Sequence, residues 1–300
     1  MNEPADRIVS IAARGEGRSA NGAFVPLTAP GDWQDGQGVW HAGPHRQTPP
    51  CRHFPSCGGC QLQHVDDEAL ANWMADRIGG ALTAQGLPEP IIRTPHLSPP
   101  RSRRRATLRA MRRGRDVLLG FNESGSHHIV NLQECAVLHP DLFALVAPLR
   151  RLLAALLSPR GQATVVMTMA DQGVDLLLGG VTTDSLAAHE ALADFARDHA
   201  LARLAIDMGE GPETQWEPEP VTVTLGGQSV GLPHGAFLQA TADGEAALIA
   251  AVGEAVGEGV RIADLFAGLG TFALALANGR SVTAGCGEGE PAPPRLTGWS

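Results

Sequence analysis

The chain has 300 residues but no lysine and no tyrosine, so all 23 of its basic residues are arginine and any polyanion-binding surface must be built from guanidinium groups. It also lacks an apolar run of the roughly 18–20 residues that a membrane-spanning helix needs. Its opening, MNEPADRIVS, has no apolar secretory core. A membrane partner is therefore not expected, and a cytoplasmic location is. Cysteine is scarce: five residues, an odd number with no export signal, argue against a disulfide framework. A wholly disordered chain is excluded because 43% of the residues are hydrophobic. The length exceeds the usual ceiling for one core, so two or three domains are expected.

What is present is unevenly placed. The net charge of −9 would argue against a nucleic-acid partner if it were spread evenly. Instead, residues 93–115 hold nine arginines and no acid, among them Arg103, Arg104, Arg105 and Arg109. Residues 184–219 hold nine acids against Arg197 and Arg203. A local basic patch matters more for polyanion binding than the total does, and it points to nucleic acid. The alternative is a solvated arginine-rich face.

Along the chain, Arg7–Ala12 alternates like a short strand, followed by turn residues at Gly15, Gly17, Asn21 and Gly22. Asp66 and Asp67 open a helix with Leu70, Trp73, Met74, Ile78 and Leu82 at helical spacing, stopped by Gly86-Leu87-Pro88. In Arg103–Arg113 a strand would put Ala106, Leu108 and Ala110 on one face and Arg105, Thr107 and Arg109 on the other. Residues 141–232 read as an α+β layer: a helix over 142–157, a hairpin of 164–170 with 174–178, a helix over 186–199, a strand over 204–208 and a hairpin turning at Gly226-Gly227. Asp243–Val256 is a helix with Leu248, Ala251, Val252 and Ala255 inward. Arg261–Phe266 reads as a buried strand that runs through a glycine loop into a helix at Phe272.

Two motifs carry chemistry. In Cys51-Arg-His-Phe-Pro-Ser-Cys57-Gly-Gly-Cys60, three thiolates at C-x5-C-x2-C can converge on one metal centre, with Gly58 and Gly59 allowing a tight backbone. A fourth thiolate could come from Cys135 or Cys286. Structural zinc usually pairs two close couples, so three near cysteines and one distant favour iron–sulfur over zinc. His53 and His64 are conceivable zinc ligands but are read as structural. The second motif is Asp264-Leu-Phe266-Ala-Gly268-Leu-Gly270-Thr271-Phe, where glycines after a strand let a ligand approach the backbone and the following helix offers N–H donors. A glycine loop that serves packing alone is the alternative.

Together these residues resemble the RNA 5-methyluridine methyltransferases, the uracil-C5 methylase family acting on 23S rRNA and transfer RNA. Its iron–sulfur branch carries C-x5-C-G-G-C-x-x-Q-H, matched by Cys51, Cys57, Cys60, Gln63 and His64, and places its fourth cluster cysteine where Cys135 stands. The family's R-R-R-A-x-L segment is matched at Arg103–Leu108 and its G-F-x-x-x-x-S-H segment at Gly120–His127. Phe237-Leu238-Gln239 matches its F-x-Q motif, although Thr241 stands where the family usually has asparagine. The resemblance implies S-adenosyl-L-methionine as methyl donor, held through Gln239, Asp264, Phe266, Gly268, Gly270 and Thr271. It implies a 4Fe–4S cluster on Cys51, Cys57, Cys60 and Cys135, and RNA, ribosomal RNA first, as partner of a monomer.

The architecture implied is multidomain, α+β and α/β. Residues 1–45 form a TRAM-like β-barrel RNA-binding module and 46–232 an α+β domain with the cluster and the arginine-rich segment. Residues 233–300 form the first, incomplete part of a Rossmann-like methyltransferase domain. After Ala284 the match ends, and residues 285–300 read as an irregular tail. Glu288 is out of register for a ribose-binding acid, Pro293-Pro294-Arg295 is a chance echo, and Cys286 has neither a base nor a preceding strand. No catalytic residue is therefore assigned: the family's nucleophilic cysteine and base lie past the chain's end. The expectation is a chain that binds the donor weakly and transfers no methyl group alone. A non-catalytic RNA-binding iron–sulfur protein is the rival reading, and a redox or zinc protein with a structural glycine loop is the third.

Overall fold

The computed structural model describes residues 5–259 and 261–285; Cys286, Glu288 and the Pro293-Pro294-Arg295 run lie outside them. The chain forms two compact units, Met1–Leu97 with Asn122–His128, and Ser98–Phe121 with Ile129–Ser300.

In the first unit, β1 (Asp6–Ile11), β2 (Gly17–Ser19), β3 (Phe24–Val25), β4 (Trp33–Gln34) and β5 (Trp40–His41) make an antiparallel sheet in the order β3-β2-β1-β4-β5. Ile8 and Ile11 are buried while Val9 between them is exposed, the alternation expected of a half-buried strand. Asp32 is fully buried and accepts from the backbone N–H groups of Ala29 and Gly43, at 2.7 and 2.8 Å, as well as from Arg46. Burial opposes ionisation of this carboxylate, but these donors outweigh it and hold its pKa below the ordinary value. Helix α1 (Asp67–Ala84) starts where the sequence places it: Asp66 accepts from the Ala69 N–H at 2.8 Å. Trp73 packs on the small core of Ile11, Ala29, Val65 and Ala69.

The second unit runs β6 (Arg105–Arg113), β7 (Asp116–Gly120), α2 (Pro140–Ala144), α3 (Val146–Leu156), β8 (Gln162–Ala170), β9 (Gly173–Gly179), α4 (Leu186–Asp198), β10 (Arg203–Asp207), β11 (Pro212–Trp216), β12 (Thr222–Leu225), β13 (Gln228–Gly231), α5 (Ala242–Val256), β14 (Arg261–Leu265), α6 (Thr271–Leu276) and β15 (Ser281–Gly285). Six strands form one sheet in the order β11-β10-β9-β8-β6-β7, antiparallel except for β9 beside β10. Leu108, Leu119, Val165, Met167, Leu176 and Leu178 of the sheet bury against Leu149 and Leu153 of α3 and Leu192 of α4. At the parallel seam Arg203 and Asp175 face each other and form a buried two-point ion pair at 2.9 and 2.8 Å. The parallel pair β14–β15, joined through α6, forms a β-α-β unit.

Three sequence expectations need correction. The helix expected over 142–157 is two segments that break at Leu145, the first starting at Pro140 behind a His139 cap that accepts from the Asp141 N–H at 3.3 Å. The strand over 261–266 is not buried on both faces: among the described residues β14 pairs with β15 alone, and Leu265 is 73% exposed. In α5 the inward face is turned from the one expected. Leu248, Ala251 and Ala255 are exposed, whereas Glu245 is buried because Arg104 holds its carboxylate. The edge strand β11 had no strand reading in the sequence.

Candidate functional site

The loop after β14 is built on alternating left-handed residues: Phe266 at φ 60°, Gly268 at φ 56° and Gly270 at φ 91°. Glycine adopts these angles freely, but a bulky side chain does not, so Phe266 marks local strain of about 1–3 kcal/mol. Phe266 is 85% exposed. Asp264, near the end of β14, is committed to the same turn: its carboxylate accepts from the Ala273 N–H at 3.0 Å, in the first turn of α6. Thr271 opens that helix and is half-buried, and the Ala267 N–H reaches back to Gly285 O on β15 at 3.1 Å. The loop is braced from outside by Leu269 and Leu274, which pack on a second core of Val221, Val223, Leu225, Leu232 and Leu238. The hairpin β12–β13 meets α6 so closely at Gly226 that a Cβ there would lie 2.5 Å from the Ala275 nitrogen.

Gln239 lies in the segment between β13 and α5. Its carbonyl accepts from Arg104 Nε at 3.0 Å, and the next carbonyl, Ala240, accepts from the Arg104 N–H at 2.9 Å. Thr241 caps α5 by accepting from the Gly244 N–H at 3.1 Å, and its hydroxyl also meets Ser98 Oγ at 2.8 Å. Thr241 is thus a helix-capping residue.

The four arginines do not share one environment. Strand β6 alternates as the sequence predicts, with Ala106, Leu108 and Ala110 buried and Thr107 and Arg109 exposed. Arg105 lies over the exposed Phe237 ring, 4.5 Å from its centroid. Burial lowers the Arg105 pKa from its ordinary value, with the charges of Arg103 and Arg104 adding to the effect. Arg109 donates to Thr164 on the neighbouring strand. Arg104 is turned inward to Glu245, a residue that sequence reasoning missed; it lies 141 residues away, on a helix whose other signals are apolar. Nothing local in the sequence links the two.

Cys51 and Cys57 are buried and Cys60 half-buried in the first unit, where the Cys57 N–H donates to His53 O at 2.9 Å and the Gly58 N–H to Asn122 O at 2.9 Å. Cys135 lies in the second unit, and its sulfur accepts from the Leu138 N–H at 3.4 Å. Among the described residues no three His, Cys, Asp or Glu side chains are gathered as a metal-holding group. His64 is a packing residue: it is buried, its Nε2 lies 3.2 Å from Thr28 O, and burial pushes its pKa below the ordinary value. No helix among the described residues is long and apolar enough to cross a membrane.

A glycine loop on a β-α-β unit beside a mostly antiparallel sheet defines a mixed α/β chain of methyltransferase fold, and comparison with known proteins agrees. No family model matches the sequence. An uncharacterized RNA methyltransferase of Zymomonas mobilis is 47% identical over 93% of this chain and 70% of its own length. One of Brucella suis is 35% identical over 92% of this chain and 68% of its own. The 23S rRNA (uracil(1939)-C(5))-methyltransferase of Chromohalobacter salexigens is 35% identical over 83% of this chain and 54% of its own. In fold, the chain is similar to the Pyrococcus abyssi tRNA (uracil-54, C5)-methyltransferase solved with S-adenosyl-L-homocysteine, at TM-score 0.66 and 18% identity over 93% of this chain and 71% of that one. The chain belongs to the RNA methyltransferase family.

Proposed function

We propose that this protein takes part in S-adenosyl-L-methionine-dependent methylation of uracil C5 in RNA, with 23S rRNA as the favoured substrate. The observation that carries the reading is the strained loop from Asp264 to Thr271, set on a β-α-β unit in a chain of RNA methyltransferase kinship. The donor contacts proposed are Gln239, Asp264, Phe266, Gly268, Gly270 and Thr271. Arg103, Arg105 and Arg109 supply the RNA-facing charge, and the module over 1–45 adds RNA contacts.

The chemistry needs more than a donor loop. Uracil C5 is a poor nucleophile until a thiolate adds at C6 and makes an enolate-like carbon that attacks the donor methyl group. A base then removes the C5 proton and the thiolate leaves. Among the described residues none of Cys51, Cys57, Cys60 and Cys135 lies in the donor loop or its flanking strands β14 and β15, and Cys286, next in sequence after β15, lies outside the described residues. We therefore infer no methyl transfer by these 300 residues alone. Tritium release from [5-³H]uracil-containing RNA tests the reading. Fusing residues 1–285 to the remaining segment of the Zymomonas relative should give donor-dependent release, and Asp264→Ala in that fusion should abolish it. A folded fusion that binds RNA yet releases no tritium would sink the proposal. Release by the 300-residue chain itself would overturn the inactivity inference.

The iron–sulfur reading rests on the C-x5-C-x2-C spacing and Cys135 alone, and no step of methyl transfer is drawn through it. Anaerobic purification tests it. Iron and sulfide that disappear in Cys57→Ser and persist in Cys286→Ser support it; a colourless chain with stoichiometric zinc rules it out.

A further inference from the structure

We infer that Arg104, which the basic stretch makes look like an RNA contact, is instead a positioning residue that clamps the Gln239 segment to the sheet. Three observations in one unit carry this. Arg104 Nε donates to Gln239 O at 3.0 Å, its backbone N–H donates to Ala240 O at 2.9 Å, and its Nη2 donates to Glu245 Oε2 at 2.6 Å in the first turn of α5. The Met169 N–H on β8 reaches Arg104 O at 2.7 Å, so the clamp is anchored in the six-stranded sheet. The Arg104 and Glu245 side chains are only 14% and 8% exposed, and the carboxylate already balances the guanidinium charge. A guanidinium consumed in this way has little to offer a phosphate. The planar fork also matters: Nε and Nη2 point at two different acceptors at once, which a lysine ammonium on a flexible stem cannot reproduce.

The consequence concerns Gln239. Its backbone is held by Arg104, so the direction of its side chain depends on a residue 135 positions earlier. The same backbone pairing bridges Arg103 to Thr241, the residue that caps α5. Arg105, next along, lies instead over the exposed Phe237 ring and remains on the outer face. One arginine in the run of three is thus structural wiring for the donor segment, and the basic patch is smaller than its sequence suggests.

This inference rests on the reading of Gln239 as a donor contact, and the experiment separates the two. The 300-residue chain and its Arg104→Ala, Arg104→Lys and Gln239→Ala variants are titrated with S-adenosyl-L-homocysteine by NMR into the millimolar range. Each is also titrated with a uracil-containing RNA hairpin across a salt series, and thermal midpoints are recorded. Arg104→Ala should weaken S-adenosyl-L-homocysteine by about tenfold, the equivalent of one charge-assisted hydrogen bond. It should leave the salt slope of RNA binding unchanged. Arg104→Lys should recover most of the thermal midpoint through Glu245 but not the donor affinity, an outcome that simple loss of folding does not produce; it also decides the matter if Arg104→Ala does not fold. A salt slope reduced by about one in Arg104→Ala would make the residue a phosphate contact and overturn the inference. Full donor affinity in Arg104→Lys would overturn it as well. If Gln239→Ala alone changes nothing, or the parent chain shows no donor binding, the donor reading itself has failed.

Discussion

The six-stranded sheet and the β14–α6–β15 unit use apolar residues in opposite ways. In the sheet, Leu108, Leu176 and Leu178 are fully buried, and even the charged pair Arg203–Asp175 is sealed inside. In the β-α-β unit, Leu265 and Phe266 are mostly exposed. The loop after β14 holds three left-handed residues within five positions, from Phe266 to Gly270, of which Phe266 is not a glycine. The sheet is a stability element, and the loop is not packed as one.

Substitutions on either side should therefore differ in size. Arg203→Ala leaves Asp175 buried without its partner and should cost about 3–5 kcal/mol in urea unfolding, the largest effect. Leu176→Ala should cost roughly 2–5 kcal/mol through the cavity it opens. Gly226→Ala, forced against the Ala275 nitrogen at a left-handed φ of 56°, should loosen α6 and the loop before it, read as faster amide exchange over Thr271–Leu276. Leu265→Ser should change stability by no more than about 0.5 kcal/mol. An equal response to Leu176→Ala and Leu265→Ser would break the comparison.

A smaller effect depends on pH. His234, whose Nε2 lies 3.1 Å from Thr214 Oγ1, has its pKa lowered from 6.5 by burial, with the Arg203 charge adding to the effect. Below 6.5 the unfolded chain then binds the extra proton more readily than the folded one. Stability should rise with pH up to about the unfolded value and level off above it. His234→Gln should flatten part of that slope. His64 in the first unit contributes with the same sign, so a residual slope is expected.

Much of this molecule was legible in the sequence because its signals are local. Asp66 as a cap, the alternation of Ala106, Leu108 and Ala110, and the hairpin around Asp171–Gly173 each need only neighbouring residues. The strand–glycine–helix order at 261–276 was legible for the same reason. What was lost depends on distant pairing. The face of α5 was misjudged because Glu245 is buried by an arginine 141 residues away. The four arginines looked equivalent because local composition carries no record of which one turns inward. The break at Leu145 was hidden by an unbroken apolar stripe, in which Leu145, Leu149, Leu152 and Leu156 are all buried.

The central claim is that the Asp264–Thr271 loop and Gln239 hold the methyl donor, and one titration addresses it directly. The isotopically labelled 300-residue chain is titrated with S-adenosyl-L-homocysteine while backbone and side-chain amides are followed. The account predicts concentration-dependent shifts over residues 266–273 and at Gln239, weak in affinity and removed by Asp264→Ala. Shifts confined to other residues, or none at millimolar ligand, would contradict it.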